Sequence, residues 1–249
     1  MVIKVTFVIL EFLQMSIEDI FRIDQWDFER ESILKDLPAA DVAKLMERKT
    51  EHRYKRGEVI FREGAYPLGI YFIVKGKVKK YKSDREDTEQ IIYVANTGEL
   101  LGYHAVLSGD QYPDSAAVIE DSVIACIPKE DFMEVLHRSE LLTRRLLKTL
   151  SHEFSVMVNS LTMVARRPVR ERLALQLIVV REKYKSDFAP GELVEINMSR
   201  DDLASLVGTA RENVVRMLSE FKEEGILETR GRKIIILDIK KLVAVANYR

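Results

Sequence analysis

Residues 199–221 read SRDDLASLVGTARENVVRMLSEF, and this stretch decides the fold of the C-terminal part of the chain. Ser199 is a preferred N-cap, and the acidic Asp202 three residues later completes a start similar to a capping box. Gly208 can take the positive φ that ends a helix in a sharp turn, and Thr209 is expected to cap the helix that follows. The pattern predicts two short helices joined by a tight turn, a helix-turn-helix.

Two apolar sets at helical spacing are expected to pack these helices together. They are Leu203, Ala204 and Val207 on the first helix, and Val214, Val215, Leu218 and Phe221 on the second. Arg211, Glu212 and Arg216 remain on the outward side of the second helix, whose start enters the DNA major groove in a helix-turn-helix. Arg donates two hydrogen bonds to guanine, and Glu accepts one from the cytosine amino group. A pair of surface helices with ordinary solvated charges is the alternative interpretation.

A basic hairpin is predicted directly after these helices. Residues 225–237 read GILETRGRKIIIL, with short apolar runs on either side of Gly231, which is typical of a β-hairpin wing. Arg230, Arg232 and Lys233 lie at its turn, where they are well placed for DNA phosphates. Ser199 and Thr209 are further candidates for backbone contacts. Arg166, Arg167, Arg170 and Arg172, farther upstream, are either phosphate contacts or solvated surface.

Residues 52–237 resemble the family of the cAMP receptor protein and FNR, which are bacterial transcription regulators. The most specific part is Arg211-Glu212-x-x-x-Arg216 after Val207-Gly208-Thr209. This is similar to the base-reading triplet of the cAMP receptor protein rather than to the Glu-x-x-Ser-Arg of the FNR branch. The resemblance implies a homodimer that reads a TGTGA-like half-site repeated as an inverted palindrome, with double-stranded DNA and RNA polymerase as partners.

Composition fits a globular protein with two modest domains. The chain has 249 residues, of which 47% are hydrophobic and 32% charged. Its net charge of −1 conceals an asymmetry: from Arg166 onward 17 basic and 13 acidic residues give +4, so the remainder carries 22 basic and 27 acidic residues, or −5. A basic C-terminal part fits DNA binding.

Cysteine usage and motif spacing exclude several classes of function. The single Cys126 excludes an intrachain disulfide and an all-Cys zinc site or iron–sulfur cluster within one chain, and it is consistent with the cytoplasm. No nucleophile–base arrangement, Walker-type phosphate loop or metal-ligand spacing is visible, so we expect no enzyme and no metal. Residues 1–14, MVIKVTFVILEFLQ, are too short to span a bilayer. They represent either a mis-chosen start before Met15 or an element that packs on the body.

Between His52 and Pro128 short β-branched and aromatic runs alternate with glycines. The runs are Val59–Phe61, Ile70–Val74, Val78–Tyr81, Gln90–Val94, Ala116–Ile119 and Val123–Ile127. This spacing predicts a small antiparallel barrel or double-sheet roll. The stretch from Gly64 to Gly76 resembles the cyclic-nucleotide-binding β-roll, although such a roll can be purely structural. A helix beginning near Pro38 is expected to cover the roll.

The predicted effector pocket departs from the resemblance. In cAMP-binding members a Gly-Glu-Leu motif and an Arg-Ser pair hold the ribose and the cyclic phosphate. Here Gly98-Glu99-Leu100 matches, but Asp114-Ser115 stands in place of Arg-Ser, and Met157 stands where adenine is met. Because an Asp repels a phosphate, we expect neither cAMP nor cGMP as effector, and we expect Glu99 to start a helix. The effector is another small molecule or none.

Haem is an alternative effector. His104 lies close to the position of a haem-ligating His in CO-sensing members of the family, but Gly102 stands where those members carry a Cys. A lone His is more often a satisfied surface residue than a metal ligand. The sequence therefore keeps haem through His104 only as a secondary hypothesis.

A heptad pattern predicts a dimerisation helix after the roll. Leu147, Leu150, Phe154, Met157, Leu161 and Val164 follow a 3-4 spacing, which is typical of an a/d seam between two parallel helices. The alternative is one amphipathic helix that packs on its own roll. Pro168 interrupts the pattern and is the predicted hinge, after which residues 169–184 form the first helix of the DNA-binding domain.

The sequence thus predicts an α+β fold in four parts: an N-terminal extension (1–30), a β-roll sensor domain (31–138), a dimerisation helix (139–166) and a winged helix-turn-helix domain (167–249). The predicted function is that of a dimeric DNA-binding regulator of transcription. The alternatives are a cyclic-nucleotide- or haem-dependent sensor of the same fold, and a small-molecule-binding module that acts through protein partners.

Overall fold

The computed structural model describes residues 17, 20–26, 32–84, 88–185, 187 and 193–247. The predictions for residues 1–14 lie outside these residues. Two compact units emerge: one spans Phe28–Phe154, and the other combines Ser155–Arg249 with Met1–Asp27. No helix among the described residues is long and apolar enough to cross a membrane.

The first unit is built on two antiparallel sheets of four strands each, in the orders β1-β8-β3-β6 and β2-β7-β4-β5. This confirms the predicted roll. The strands are β1 (Thr50–Tyr54), β2 (Val59–Phe61), β3 (Gly69–Lys75), β4 (Lys77–Ser83), β5 (Glu89–Asn96), β6 (Leu100–Leu101), β7 (Ser115–Val118) and β8 (Ser122–Pro128).

The inner faces of both sheets share one apolar core. Phe61 of β2, Ile73 of β3, Val78 of β4 and Ile124 of β8 belong to it, and each is at most 6% exposed. The turn between β3 and β4 requires Gly76. Its φ is 106°, and a Cβ atom at this position would lie only 2.1 Å from Ser122 Oγ and clash with it.

Helices cover the outer face of the β1-β8-β3-β6 sheet. They are α1 (Ala39–Glu47), α2 (Tyr103–Ser108), α3 (Lys129–Arg138) and the start of α4 (Glu140–Arg166). Leu45 of α1 and Phe132 of α3 are fully buried together with Ile70 of β3 and Ile127 of β8. The helix predicted near Pro38 is thus present as α1, and it covers the roll as expected.

An ion-pair cluster joins α1 to α3. The Asp131 carboxylate is buried, and it accepts hydrogen bonds of 2.9 and 2.7 Å from the Arg48 guanidinium. Lys44 Nζ lies 3.3 Å from the same carboxylate. The hydrogen bonds from Arg48, and then the contact with Lys44, hold the pKa of Asp131 below its usual value.

The second unit contains the predicted winged helix-turn-helix. A three-stranded antiparallel sheet of order β10-β11-β9 lies beside four helices. The elements are α5 (Val169–Lys185), β9 (Glu195–Asn197), α6 (Arg200–Val207), α7 (Arg211–Glu223), β10 (Leu227–Arg230), β11 (Lys233–Ile236) and α8 (Ile239–Ala246). Apolar residues from several of these elements form its core, among them Leu173, Val207, Phe221 and Ile234, all fully buried.

Candidate nucleic-acid interface

Local chemistry forms the turn between α6 and α7 as the sequence predicts. Ser199 caps α6, because its Oγ accepts a 2.9 Å hydrogen bond from the Asp202 amide. Gly208 ends the helix with φ 70°, and its amide donates to the Ala204 carbonyl. A residue with a Cβ is disfavoured in this left-handed conformation, so the glycine sets the sharp change of direction before α7.

The role expected of Thr209 as a cap is wrong. Helix α7 begins at Arg211 with Ala210 in the N-cap position, and no side chain caps it. The turn is one residue longer than predicted, which leaves the Thr209 hydroxyl too early in the chain to meet the free helical amides. Its Oγ1 instead accepts a 3.0 Å hydrogen bond from Asn213 Nδ2.

The apolar side of α7 also differs at one position. Val214, Leu218 and Phe221 are buried as predicted, whereas Val215 is 49% exposed. Consecutive helical residues point about 100° apart, so Val214 and Val215 do not both face α6. Met217, which the prediction omitted, is buried in the core instead.

Arg211, Glu212 and Arg216 are all exposed at the N-terminal half of α7. Arg211 Nε lies 3.5 Å from Asp201 Oδ1, between side chains that are both more than half exposed. Arg216 donates a 3.2 Å hydrogen bond to Asn213 Oδ1. Exposed contacts of this kind are weak, so contacts with a DNA duplex can replace them at a small cost in free energy.

The wing is anchored by a residue to which the sequence assigned no role. Arg200, at the start of α6, donates hydrogen bonds of 3.1 Å to the carbonyls of Gly231 and Arg232 at the hairpin turn. Burial lowers the pKa of Arg200, a group that stays charged in proteins. The clamp fixes the turn that carries the exposed Arg232 beside the helix-turn-helix.

The other two wing cations have acidic neighbours. Arg230 donates a 3.0 Å hydrogen bond to Glu228, and Lys233 Nζ lies 2.5 Å from Glu195 Oε2. Arg230 and Lys233 remain more than half exposed. Together with Arg232 they form a basic edge on the same unit as α7.

Three of the four upstream arginines have internal partners. Arg172 is 8% exposed and donates to the carbonyls of Val164, at 3.4 Å, and Gly208, at 3.2 Å. Arg170 pairs with Glu220 and Glu224, and Arg167 pairs with Glu171. These contacts favour a structural role for Arg167, Arg170 and Arg172 over contact with phosphates, while Arg166 is exposed.

In the roll, the expected helix start at Glu99 is wrong. Helix α2 begins at Tyr103, after Gly102, and Glu99 precedes the short strand β6. The Glu99 carboxylate accepts hydrogen bonds of 2.6 Å from the Tyr93 hydroxyl and 2.9 Å from the Asn96 amide. It therefore closes the turn after β5, which is a local structural task.

The position of the missing phosphate-binding Arg holds a buried ion pair. Asp114 Oδ2 lies 3.4 Å from Lys80 Nζ of β4, and both residues are 8% exposed. The neighbouring Ser115 accepts a 2.9 Å hydrogen bond from the Glu63 amide. Of the other predicted pocket residues, Gly98 and Leu100 are buried in this unit, while Met157 is 50% exposed on α4.

A second polar cluster connects α2 to α4. Glu153 accepts a 2.6 Å hydrogen bond from the Tyr103 hydroxyl and lies 2.9 Å from His104 Nε2. Burial opposes the charged form of Glu153, but the bond from His104 and the charge of Lys80 outweigh it, so the pKa of Glu153 stays below its usual value. Among the described residues, no three His, Cys, Asp or Glu side chains converge as a metal site.

The predicted seam on α4 is mostly uncovered within the protomer. Five of its six residues are between 48% and 68% exposed, and only Leu150 packs against the core of the roll. The exposed members are Leu147, Phe154, Met157, Leu161 and Val164. A continuous exposed apolar stripe of this kind marks an interaction surface.

Comparison with known protein families accounts for both the roll and the winged helix-turn-helix. Residues 51–139 match the cyclic nucleotide-binding domain family, and residues 171–245 match the Crp-like helix-turn-helix domain family. The chain belongs to the Crp/Fnr family. It is a DNA-binding regulator of transcription and not an enzyme.

Named relatives of this Crp/Fnr protein are regulators. It is 27% identical over 194 residues to the fumarate and nitrate reduction regulatory protein of Vibrio cholerae, covering 78% of this chain and 77% of that protein. It is 28% identical over 194 residues to the transcriptional activator protein anr of Pseudomonas aeruginosa, covering 78% and 79%.

Solved structures share the fold of this Crp/Fnr chain. FixK2 from Bradyrhizobium japonicum superposes with a TM-score of 0.70 at 23% identity, covering 79% of this chain and 96% of that one. CLP, the c-di-GMP-responsive global regulator of Xanthomonas campestris, superposes with a TM-score of 0.66 at 21% identity, covering 80% and 99%.

Proposed function

We propose that this regulator binds DNA as a homodimer and reads a TGTGA-like half-site repeated as an inverted palindrome. The observation that carries this proposal is the exposure of Arg211, Glu212 and Arg216 on one side of α7. Their donors and acceptor match guanine and cytosine edges in the major groove. The cations of the wing supply phosphate contacts that position the helix without reading sequence. Ser199 and Thr209 are further candidates near the same edge.

The apolar stripe of α4 supports the dimer. Two copies of the stripe, related by a two-fold axis, bury each other's exposed Phe154 and Leu161. A two-fold arrangement also places two recognition helices about 34 Å apart, one turn of DNA, as a palindrome requires. Each protomer then reads one half-site.

We further propose that the roll does not use a cyclic nucleotide. A cyclic phosphate at the position of Asp114 meets a carboxylate that already neutralises Lys80, so its charge has no cation to pair with. Haem is disfavoured as well, because binding of iron by His104 Nε2 would displace its contact with Glu153, and Gly102 stands where CO-sensing members carry a Cys. The effector is then another small molecule or none. RNA polymerase as partner and the cytoplasm as location complete the proposal.

Arg211→Ala tests the base-reading role. We expect a loss of about 1–3 kcal/mol on the palindromic duplex, together with relaxed preference at one base pair of each half-site. Fluorescence anisotropy on a set of single-base variants of the duplex measures both. Lys222→Ala is the matched control, since Lys222 is an exposed cation at the opposite end of the same helix. An equal weakening of Arg211→Ala on all duplexes would contradict base reading.

Leu161→Glu tests the dimer. Leu161 is 68% exposed, so the exchange leaves the protomer's own core intact, but it places a charge in the middle of the proposed seam. We expect a monomer in sedimentation velocity and a loss of affinity for the palindrome that exceeds the loss for a single half-site. A variant that stays dimeric with unchanged affinity would refute the proposed seam.

A further inference from the structure

Val215 interrupts an otherwise charged and polar surface of α7. The other apolar side chains of this helix, Val214, Met217, Leu218 and Phe221, are at most 8% exposed, whereas Val215 is 49% exposed. A β-branched residue is also a weaker helix former than Ala or Leu. Neither the core nor the local propensity of the helix therefore accounts for an isopropyl group at this position.

Helix geometry places Val215 among the three proposed base-reading residues. It lies about 40° around the axis and about 6 Å along it from Arg211, and about 60° and 4.5 Å from Glu212. Arg216 is the next residue. All four side chains are exposed at the end of α7 that faces the major groove in a helix-turn-helix.

The floor of the major groove offers one strongly apolar group to such a side chain, the C5 methyl group of thymine. We infer that Val215 contacts a thymine methyl group in the half-site and thereby distinguishes thymine from cytosine at that position. The inference rests on the proposed DNA function and adds an apolar component to the polar readout by Arg211, Glu212 and Arg216. Burying the isopropyl and methyl groups against each other removes both from water.

Replacement of thymine by deoxyuridine tests this contact. Deoxyuridine keeps the Watson–Crick pair and lacks only the methyl group. A TGTGA half-site has two thymines on one strand and one opposite its adenine, and each is replaced in turn in both half-sites. We expect the wild-type protein to bind one of the three substituted duplexes about fourfold more weakly per half-site, the effect of one buried methyl group, and the other two unchanged.

Val215→Ala is expected to bind the thymine and deoxyuridine duplexes equally at that position, with an unchanged dependence on salt because no phosphate contact is lost. Ala is the best helix former, so α7 persists, and circular dichroism checks this. Leu237→Ala is the control, since Leu237 is also 49% exposed but follows the wing. It should keep the wild-type preference for thymine.

Two results overturn the inference and can be told apart. If the wild type prefers the palindrome over a scrambled duplex, yet the ratio of thymine to deoxyuridine affinity is the same in Val215→Ala at every position, the methyl contact is refuted and the proposed function stands. If the wild type shows no preference for the palindrome, the proposed function itself fails.

Discussion

Lys80→Met should destabilise the roll strongly, because Lys80 is the buried cation beside Asp114. At 3.4 Å and an effective dielectric constant of about 20, the two charges attract each other by about 5 kcal/mol. Moving both from water into the roll offsets most of this attraction, so the net value of the intact pair is small. Removing one partner leaves the other buried and uncompensated, which costs about 3–5 kcal/mol.

The environment of the pair predicts an asymmetry between the single variants. Lys80 also stabilises the charge of Glu153, so Lys80→Met removes a cation from the surroundings of two carboxylates, although His104 still contacts Glu153. Asp114→Asn leaves Lys80 with Glu153 and should cost less. The double variant should be more stable than the sum of the two single losses implies, because it buries neither an unpaired Lys80 nor an unpaired Asp114.

Urea unfolding followed by circular dichroism measures these differences. Lys55→Met is the matched control: Lys55 Nζ lies only 2.7 Å from Asp121 Oδ2, but the two side chains are 80% and 62% exposed. We expect no measurable change for this variant, since solvent screens exposed pairs. The reasoning is refuted if Lys80→Met is as stable as Lys55→Met, or if the losses of the single variants simply add.

Two further variants test the contacts that hold each unit together. The pKa of Asp131 is lower in the folded than in the unfolded chain, so its contribution to stability is present above about pH 4 and is lost as the pH falls. Acid titrations of stability should therefore be flatter for Asp131→Asn than for the wild type, and parallel curves would contradict this. Arg200→Ala should accelerate hydrogen exchange at Gly231 and Arg232 and weaken DNA binding by the same factor on all sequences. A change in base preference would instead assign Arg200 a direct role in readout.

Local patterns in the sequence predicted most of the roll. Six of its strands were predicted because short runs of β-branched and aromatic residues lie between glycines, and both signals are local in the sequence. Strand β1 was missed because nearly all of its residues, from Thr50 to Tyr54, are exposed and carry no apolar signal. The strand β6 comprises only Leu100 and Leu101, which is too short for any periodicity.

The candidate sites were predictable where a function depends on neighbours in sequence. Arg211, Glu212 and Arg216 lie on one helical face, so their exposure follows from spacing. The pairing of Lys80 with Asp114 depends instead on the contact of β4 with the residues before β7, which no local pattern encodes. Thr209 failed as a cap for a different reason: a turn that is one residue longer moves the N-cap to Ala210.

The buried Arg172 has a consequence for how the DNA-reading turn can move. Its guanidinium joins a carbonyl of the last turns of α4, at Val164, to the Gly208 carbonyl. A rotation about Pro168 that separates these two carbonyls would leave the buried guanidinium of Arg172 without its acceptors. We therefore expect the end of α4 and the helix-turn-helix to move together. A change in the distance between the two recognition helices of a dimer is then expected to come from bending of α4 before Val164 rather than from rotation at Pro168.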